Sequence, residues 1–159
     1  MNSKIAIVGA GASGKDHLRK QMEGRGMISG ISCTTRPMRD NETNGVDYYF
    51  LTDLEFENGI KNDLFVEWQS FKDWKYGISK VEFIRSDVMI LNAESVETLE
   101  PSYRDKLFVI YINISEETRR KRLVNRSDTN DMVERRIEAD NKQFGNFLDF
   151  DCIITNENF

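Results

Sequence analysis

The segment at residues 9–15, Gly-Ala-Gly-Ala-Ser-Gly-Lys, is the part of this 159-residue chain whose residue types point most directly to chemistry. An apolar run at residues 5–8 precedes it and a stretch of helical composition follows, which is the context of a phosphate-binding loop, or P-loop. Glycines let successive backbone N–H groups turn around phosphate oxygens, and the following helix N-terminus adds partial positive charge. The pattern favours a nucleotide phosphate site over an ordinary tight turn, with the contributing residues Gly9, Ala10, Gly11, Ala12, Ser13, Gly14 and Lys15.

Asp16 stands where such a loop usually has the Ser or Thr whose hydroxyl ligates Mg²⁺. Two interpretations are open. An acidic residue in the first turn stabilises a helix through its dipole. Alternatively, the carboxylate binds Mg²⁺ directly or through water, because this hard cation prefers oxygen ligands. In the second case nucleotide binding depends strongly on magnesium, since Asp16 without the metal repels the phosphates.

A second cluster lies between residues 32 and 79, where arginines occur together with tyrosines. Arg36 and Arg39 are three positions apart, and guanidinium groups bind phosphate through paired N–H donors. Tyr48 and Tyr76 add neutral hydroxyl donors. Alone, this composition is typical of a solvated loop, but beside a P-loop it predicts a second phosphate site.

The elements that position these residues alternate between strands and helices. Continuous apolar runs predict strands covered on both faces, at residues 5–8, 88–91, 107–114 and 152–154. Capping signals and periodicity predict helices that begin at Lys15, Thr52 and Ser115, with a last helix over residues 131–144. This alternation predicts one α/β domain with a largely parallel sheet.

Two segments interrupt the alternation. Residues 32–79 combine short strands with aromatic and charged residues, and they predict an insertion that carries substrate contacts. Residues 124–131 are polar and lack apolar periodicity. They predict either a mobile cover over the nucleotide or an ordinary connection between two helices.

Composition excludes some classes of partner. The net charge of −5 gives nucleic acid no bulk electrostatic attraction. No apolar run is long enough to cross a bilayer or to act as a secretory signal. The cysteines, Cys33 and Cys152, lack metal-ligand spacing, and we expect reduced, buried thiols in a cytoplasmic protein. We therefore expect no nucleic-acid partner and no membrane partner.

Taken together, the motifs resemble those of the guanylate kinase family over nearly the whole chain. After the P-loop come Ser-Cys-Thr-Thr-Arg-Pro-Met-Arg-Asp-Asn-Glu at 32–42, Gly-Val-Asp-Tyr-Tyr-Phe at 45–50, Phe-Val-Glu-Trp at 65–68 and Lys-Tyr-Gly at 75–77. The resemblance implies a P-loop NTPase-type parallel sheet flanked by helices, and phosphorylation of GMP or dGMP by ATP with Mg²⁺. It divides the chain into a core at 1–31, 80–123 and 145–159, a small mixed-β insertion for the nucleoside monophosphate (NMP) at 32–79, and a short lid at 124–144. We expect a monomer or a weak homodimer.

The resemblance also implies which residues bind the acceptor nucleotide. The predicted phosphate ligands of the NMP are Ser32, Arg36, Arg39, Tyr48 and Tyr76, with Glu42 supporting the arginines. Glu67 would accept hydrogen bonds from the guanine base. A carboxylate matches two adjacent N–H donors that guanine has and adenine lacks, although a surface strand glutamate is the alternative.

On the ATP side the resemblance implies a set of cationic residues around the transferred phosphoryl group. The predicted catalytic residues are Lys15, Arg39 and the lid arginines Arg126 and Arg136, and Arg122 and Asn156 are also predicted to contact ATP. Such cations stabilise charge on the equatorial oxygens of the transferred group. Arg119 and Arg135 are expected to be solvated helix charges.

Departures from the family pattern keep two alternatives open. Glu94 retains one of the two acidic positions after the second apolar run, at residues 88–91, so Asp16 and Glu94 are the predicted Mg²⁺ ligands. Ile78 stands where the family has a Ser or Thr that contacts guanine, which permits a broader deoxynucleotide kinase. The other alternative is a catalytically silent module that binds a phosphorylated ligand. The retained Gly14 and Lys15 favour the enzyme.

Overall fold

The structure is a computed structural model that describes residues 4–71, 73–125 and 133–159. Its strands, in chain order, are β1 (Lys4–Gly9), β2 (Cys33–Thr34), β3 (Tyr49–Phe50), β4 (Phe65–Phe71), β5 (Trp74–Ser79), β6 (Val88–Ile90), β7 (Leu107–Ile112) and β8 (Cys152–Ile154). Its helices are α1 (Lys15–Glu23), α2 (Asp53–Lys61), α3 (Lys80–Arg85), α4 (Ala93–Thr98), α5 (Pro101–Arg104), α6 (Glu116–Val124) and α7 (Val133–Phe144).

The larger sheet has the strand order β6-β1-β7-β8, and its neighbouring strands pair in parallel. The strands are rich in Ile and Val because a parallel sheet carries helices on both faces and buries both sides of each strand. Ala6, Ile7 and Val8 of β1 are all 0% exposed. This confirms the predicted parallel α/β sheet, and it brings the P-loop to the carboxyl edge where open sheets of this kind bind ligands.

The second sheet is mixed, and its strands all lie between residues 33 and 79. Its order is β3-β2-β5-β4, with β2 parallel to β3 and β5 antiparallel to both β2 and β4. One face packs on α2, where the rings of Phe56 and Phe65 stack with centroids 4.5 Å apart. Gly59 permits this approach, because a Cβ at that position would lie 2.7 Å from Cε2 of Phe65. This sheet is the framework for the residues of the predicted insertion.

Local capping signals fix the helix boundaries. The helix predicted from Lys15 ends at Glu23, before a glycine. At α2 the Thr52 hydroxyl accepts a hydrogen bond from the Glu55 amide, and the Glu55 carboxylate accepts one from the Thr52 amide. Ser115 caps α6 through its hydroxyl. The three predicted helix starts are confirmed. At Thr52 and Ser115, the capping side chain accepts a hydrogen bond from a backbone amide that has no partner within the helix.

Two sequence-based expectations about side-chain environment are wrong. Cys33 is buried as expected, but Cys152 is exposed because β8 lies at the edge of its sheet. Arg119 is only 6% exposed, although a solvated charge was expected. Its guanidinium lies 3.3 Å from the carboxylate of Asp140, so α6 and α7 enclose an ion pair. Arg135 is exposed, as expected.

The predicted lid is described only in part. Residues 126–132, which hold most of the polar segment at 124–131 and the start of the helix predicted over 131–144, lie outside the described residues. The described remainder of that helix is α7. Among residues 4–71, 73–125 and 133–159, no helix is both long enough and apolar enough to cross a membrane.

A buried carboxylate joins the second sheet to the core. Glu82 on α3 is 5% exposed and accepts hydrogen bonds from the Ile31 amide at 2.9 Å and from Arg85 at 2.7 Å. The hydroxyl of Tyr49 on β3 donates to the same carboxylate at 3.3 Å. Burial alone would raise the pKa of Glu82, but the hydrogen bonds from Arg85 and the Ile31 amide hold that pKa below its usual range. Glu82 thereby ties β3 and the segment just before β2 to α3.

We expect Glu82→Ala to lower the free energy of unfolding by about 2 kcal/mol, because it removes the acceptor of three donors at a buried site. Urea denaturation measures this difference. Glu97→Ala removes an exposed carboxylate from α4 and serves as the control, with an expected change within about 0.5 kcal/mol. Equal unfolding free energies for the two variants would show that the Glu82 contacts do not stabilise the junction.

Candidate active site

A cleft of about 870 Å³ separates the P-loop from the second sheet. Residues 11–16 line one side of this cleft. The opposite side and the rim carry predicted ligands of both nucleotides, namely Ser32, Arg36, Arg39, Glu42, Tyr48, Tyr76, Arg122 and Arg136. The fold therefore brings the two phosphate-binding clusters of the sequence to one space.

The P-loop turns through backbone conformations that suit an anion site. Gly14 has φ of 107° and Ala12 has φ of 58°, both in the left-handed region. The first amides of α1 cannot have partners within the helix, because the ladder begins with the amide of Leu18, which donates to the carbonyl of Gly14. Lys15 Nζ donates to the carbonyl oxygens of Gly9 and Ala10 at 2.6 and 2.9 Å. The loop thus combines main-chain donors with a cation at one point.

Close packing at Gly9 and a buried hydroxyl at Ser13 shape this loop. A Cβ on Gly9 would lie 2.6 Å from Oγ of Ser13 and 2.8 Å from the carbonyl oxygen of Ile112. The Ser13 hydroxyl is buried and has no hydrogen-bond partner among the described residues. A buried hydroxyl without a partner is unfavourable unless a ligand supplies one. A phosphate oxygen in the turn would supply it.

Asp16 occupies the first turn of α1 and faces the cleft. Its side chain is 67% exposed, and its contact with Arg19 is long, at 3.7 Å. An exposed carboxylate whose ion pair with Arg19 is long can bind a hydrated cation. Within the described part of the chain, no group of three or more His, Cys, Asp and Glu side chains could hold a metal ion by itself.

Arg36 and Glu42 form a rigid pair opposite the P-loop. Two nitrogens of the Arg36 guanidinium donate to the two carboxylate oxygens of Glu42, at 3.0 and 2.6 Å. Glu42 also accepts from the Arg39 amide at 2.8 Å. Burial alone would raise the pKa of Glu42, but the hydrogen bond from Arg36 holds it below its usual range. The pair fixes the direction of the guanidinium and the path of the loop that carries Arg39.

Aromatic rings complete this wall. The Arg36 guanidinium lies 5.5 Å from the ring centroid of Tyr48, and the rings of Tyr48 and Tyr76 meet edge to face at 6.2 Å. Burial raises the pKa of both tyrosines, so their hydroxyls stay protonated and can donate hydrogen bonds. Ser32 also lines the cleft. Together these groups give the wall donors that suit anionic oxygens, and their roles toward the NMP phosphate stay predictions.

The residues predicted to read the base are not among those that line this cleft. Glu67 accepts a 2.5 Å hydrogen bond from the hydroxyl of Ser95, which is 2% exposed. Ile78 is 0% exposed and belongs to the main apolar core, and Glu94 is exposed on the first turn of α4. The described residues that line the cleft do not include Glu67, Ile78 or Glu94. Their roles toward guanine and Mg²⁺ stay predictions.

Helices α6 and α7 also approach the P-loop. Arg122 on α6 donates to the carbonyls of Ala12 and Glu157, at 3.2 and 3.0 Å. Arg136 on α7 lines the cleft, whereas Asn156 lies outside its lining and accepts a hydrogen bond from the Asn158 amide. The predicted catalytic Arg126 lies outside the described residues.

Two residues that the sequence did not single out, Asp140 and Phe159, lie against the P-loop. The carboxylate of Asp140 accepts a 2.8 Å hydrogen bond from the amide of Gly11 in the P-loop. Glu157 and Phe159 line the cleft, and the Phe159 ring would lie 2.8 Å from a Cβ on Gly14. A local signal existed only for Asp140, which follows Arg136 by four residues and so shares its helix face.

The pKa of Glu67 predicts an unusual pH dependence of stability. Burial raises this pKa from 4.5 to about 7, against opposing hydrogen bonds from Ser95 and the Ile78 amide. The folded protein therefore keeps a proton that the unfolded chain loses above pH 4.5, and raising the pH from 4.5 to about 7 destabilises the fold.

We expect Glu67→Gln to remove this decline, because a neutral amide does not ionise. The measurement is the difference in free energy of unfolding between wild type and variant at several pH values across this interval. Glu97→Gln, which alters an exposed side chain, is the control and should leave the pH profile unchanged. A constant difference between wild type and Glu67→Gln would contradict the raised pKa.

Comparisons with known proteins find similar proteins of one family. The guanylate kinase family model matches residues 1–159. A guanylate kinase of Legionella pneumophila (strain Paris) is 30% identical over 167 residues, covering 99% of this chain and 79% of that protein. A guanylate kinase of Mycoplasma genitalium is 32% identical over 152 residues, covering 91% of this chain and 61% of that protein. The crystal structure of guanylate kinase from Anaplasma phagocytophilum superposes with a TM-score of 0.72 at 21% identity, covering 99% of this chain and 79% of that one, and supports the fold.

Proposed function

The chain belongs to the guanylate kinase family, and we propose that it transfers the γ-phosphoryl group of ATP to GMP or dGMP across the cleft. The observation that supports this proposal is that two different groups of hydrogen-bond donors suited to anions line opposite sides of one cleft. One consists of main-chain amides at a helix N-terminus, and the other consists of guanidinium and phenol groups. Two phosphorylated nucleotides can therefore meet with their phosphates facing each other.

On the donor side, the P-loop would hold the phosphates of ATP. The amides at the start of α1 and the hydroxyl of Ser13 offer hydrogen bonds, and Lys15 can move from the loop carbonyls to the β- and γ-phosphates. Arg136, which already lines the cleft, would lie beside the transferred group. Arg122 would act on the loop itself, since it donates to the carbonyls of Ala12 and Ser13.

On the acceptor side, Arg36, Arg39, Tyr48 and Tyr76 would hold the phosphate of GMP. Glu42 fixes the orientation of the Arg36 guanidinium. Arg36 would in turn fix the GMP phosphate oxygen that accepts the γ-phosphoryl group. The bond from the γ-phosphorus to the bridging oxygen of ADP breaks as the bond to the GMP phosphate oxygen forms. Positioning and charge neutralisation supply most of the catalysis in such a transfer. Glu67 would recognise the guanine base from the interior.

Mg²⁺ fits the site through Asp16, whose exposed carboxylate faces the cleft beside the P-loop. When bound, the cation would supply charge neutralisation to the phosphate oxygens. Glu94 is also proposed as a contributor, although it is exposed on α4 and lies outside the described lining of the cleft.

We expect ADP release with GMP and dGMP and much slower release with AMP, dTMP and dCMP. Arg36→Lys should lower kcat/KM for GMP by about tenfold or more, because an ammonium cannot replace the bidentate guanidinium. The measurement is a coupled ADP-release assay. Arg25→Lys changes an exposed arginine after α1 and should leave the rates unchanged.

Three outcomes of that assay decide between the proposal and its alternatives. Turnover of dTMP or dCMP at the rate of dGMP would indicate the broader deoxynucleotide kinase. Binding of GMP without ADP release would indicate a silent module. Equal rates for Arg36→Lys and wild type would remove Arg36 from the acceptor site.

We expect ATP binding to require Mg²⁺ in the wild type and to require it less in Asp16→Ser. Without the metal, the carboxylate of Asp16 repels the triphosphate, so Kd should rise by about tenfold or more. Calorimetric titration with excess Mg²⁺ and with EDTA measures both constants. Asp105→Ser, far from the P-loop in sequence and exposed, is the matched control. Equal ATP affinity with and without magnesium in the wild type would refute the metal-binding interpretation of Asp16.

A further inference from the structure

Helix α7 presents a cation and an anion to the same residue of the P-loop. The amide of Gly11 donates to Oδ2 of Asp140 at 2.8 Å. A Cβ on Gly11 would lie 3.0 Å from that oxygen and 3.3 Å from Nε of Arg136, so both side chains lie against the loop. Arg136 and Asp140 are four residues apart and therefore project from one face of α7.

A buried arginine of α6 holds the Asp140 carboxylate in place. The Arg119 guanidinium lies 3.3 Å from Oδ2 of Asp140, and the two side chains are 7% and 13% exposed. Arg119 also donates to the side-chain oxygen of Asn141 at 3.2 Å. A charge in such surroundings requires an opposite charge nearby, and Arg119 supplies it. The carboxylate consequently joins three segments, which are the P-loop, α6 and α7.

We propose that Asp140 is a positioning residue that fixes α7, and with it Arg136, on the P-loop. The proposal rests on the kinase function proposed above. Arginines that act on a transferred phosphoryl group must be held to within a fraction of an ångström, because small displacements cost rate. Asp140 connects the helix that carries Arg136 directly to a main-chain atom of the loop that binds ATP. Arg119 neutralises the carboxylate, which limits its repulsion of the phosphates.

A merely structural ion pair between α6 and α7 is the competing explanation. It differs from the proposal in the contact with Gly11, which an ion pair alone does not need. The Arg119→Leu/Asp140→Ala double variant removes both buried charges together, so neither charge is left unpaired. The double variant should regain most of the stability lost by Asp140→Ala, yet it still lacks the carboxylate at Gly11.

The kinetic test compares wild type, Asp140→Ala, the double variant and Glu138→Ala. Glu138 is exposed on the same helix, so its removal controls for the loss of a helical acid. We expect kcat to fall by about ten- to hundredfold in Asp140→Ala and in the double variant, with KM for GMP changed less than about twofold. Wild-type kcat in the double variant, or a loss explained by KM alone, would overturn the positioning role.

A second readout does not depend on activity. In nitrogen–proton NMR spectra, the Gly11 amide proton should move upfield in Asp140→Ala, because its carboxylate acceptor is gone, and it should stay in place in Glu138→Ala. An unchanged Gly11 resonance in Asp140→Ala would show that the contact is absent and would overturn the proposal. Failure of the wild type to phosphorylate GMP would refute the proposed function instead, while the Gly11 resonance would still test the contact.

Discussion

The cleft depends on the backbone of a single turn, the P-loop. Main-chain amides can converge on an anion only where the backbone takes a conformation that most residues avoid, and Gly14 provides it with φ of 107°. The turn must also pass close to β7, which Gly9 permits because a Cβ there would meet the carbonyl of Ile112 at 2.8 Å. The parallel sheet with β1 at its centre exists to hold that turn at its carboxyl edge.

The wall of the cleft that carries Arg36, Tyr48 and Tyr76 must also hold its hydrogen-bond donors in fixed positions. There the donors are side chains, which are mobile unless something fixes them. Glu42 holds the Arg36 guanidinium through two hydrogen bonds. Glu82 joins the second sheet to the core, because it accepts hydrogen bonds from the Tyr49 hydroxyl and the Ile31 amide. Each carboxylate is itself stabilised in its ionised form by the groups it binds. Side-chain rigidity in this wall is thus a product of paired charges, whereas rigidity in the P-loop is a product of backbone geometry.

Features with local causes were predictable from the sequence. The P-loop, the capping box at Thr52 and the parallel strands follow from residue order within a few positions, because turns, caps and burial of strands are decided there. The pairing of Arg119 with Asp140 joins residues 21 apart, and that of Glu67 with Ser95 joins residues 28 apart. No local pattern encodes such contacts. The sequence around Arg119 therefore predicts a solvated charge, which is wrong. The contact of Glu67 with Ser95 likewise has no signal in the sequence near either residue.

The P-loop lysine contributes both to the conformation of the loop and to its charge. Nζ of Lys15 donates hydrogen bonds to the carbonyl oxygens of Gly9 and Ala10. The ammonium group that is proposed to bind a phosphate therefore also holds the turn closed. In the proposed complex, the turn and the nucleotide would therefore share this ammonium group. Replacing that lysine would remove two hydrogen bonds within the loop as well as a positive charge. Loss of ATP binding in a Lys15 variant would therefore have two explanations, an altered loop conformation and a missing contact with phosphate.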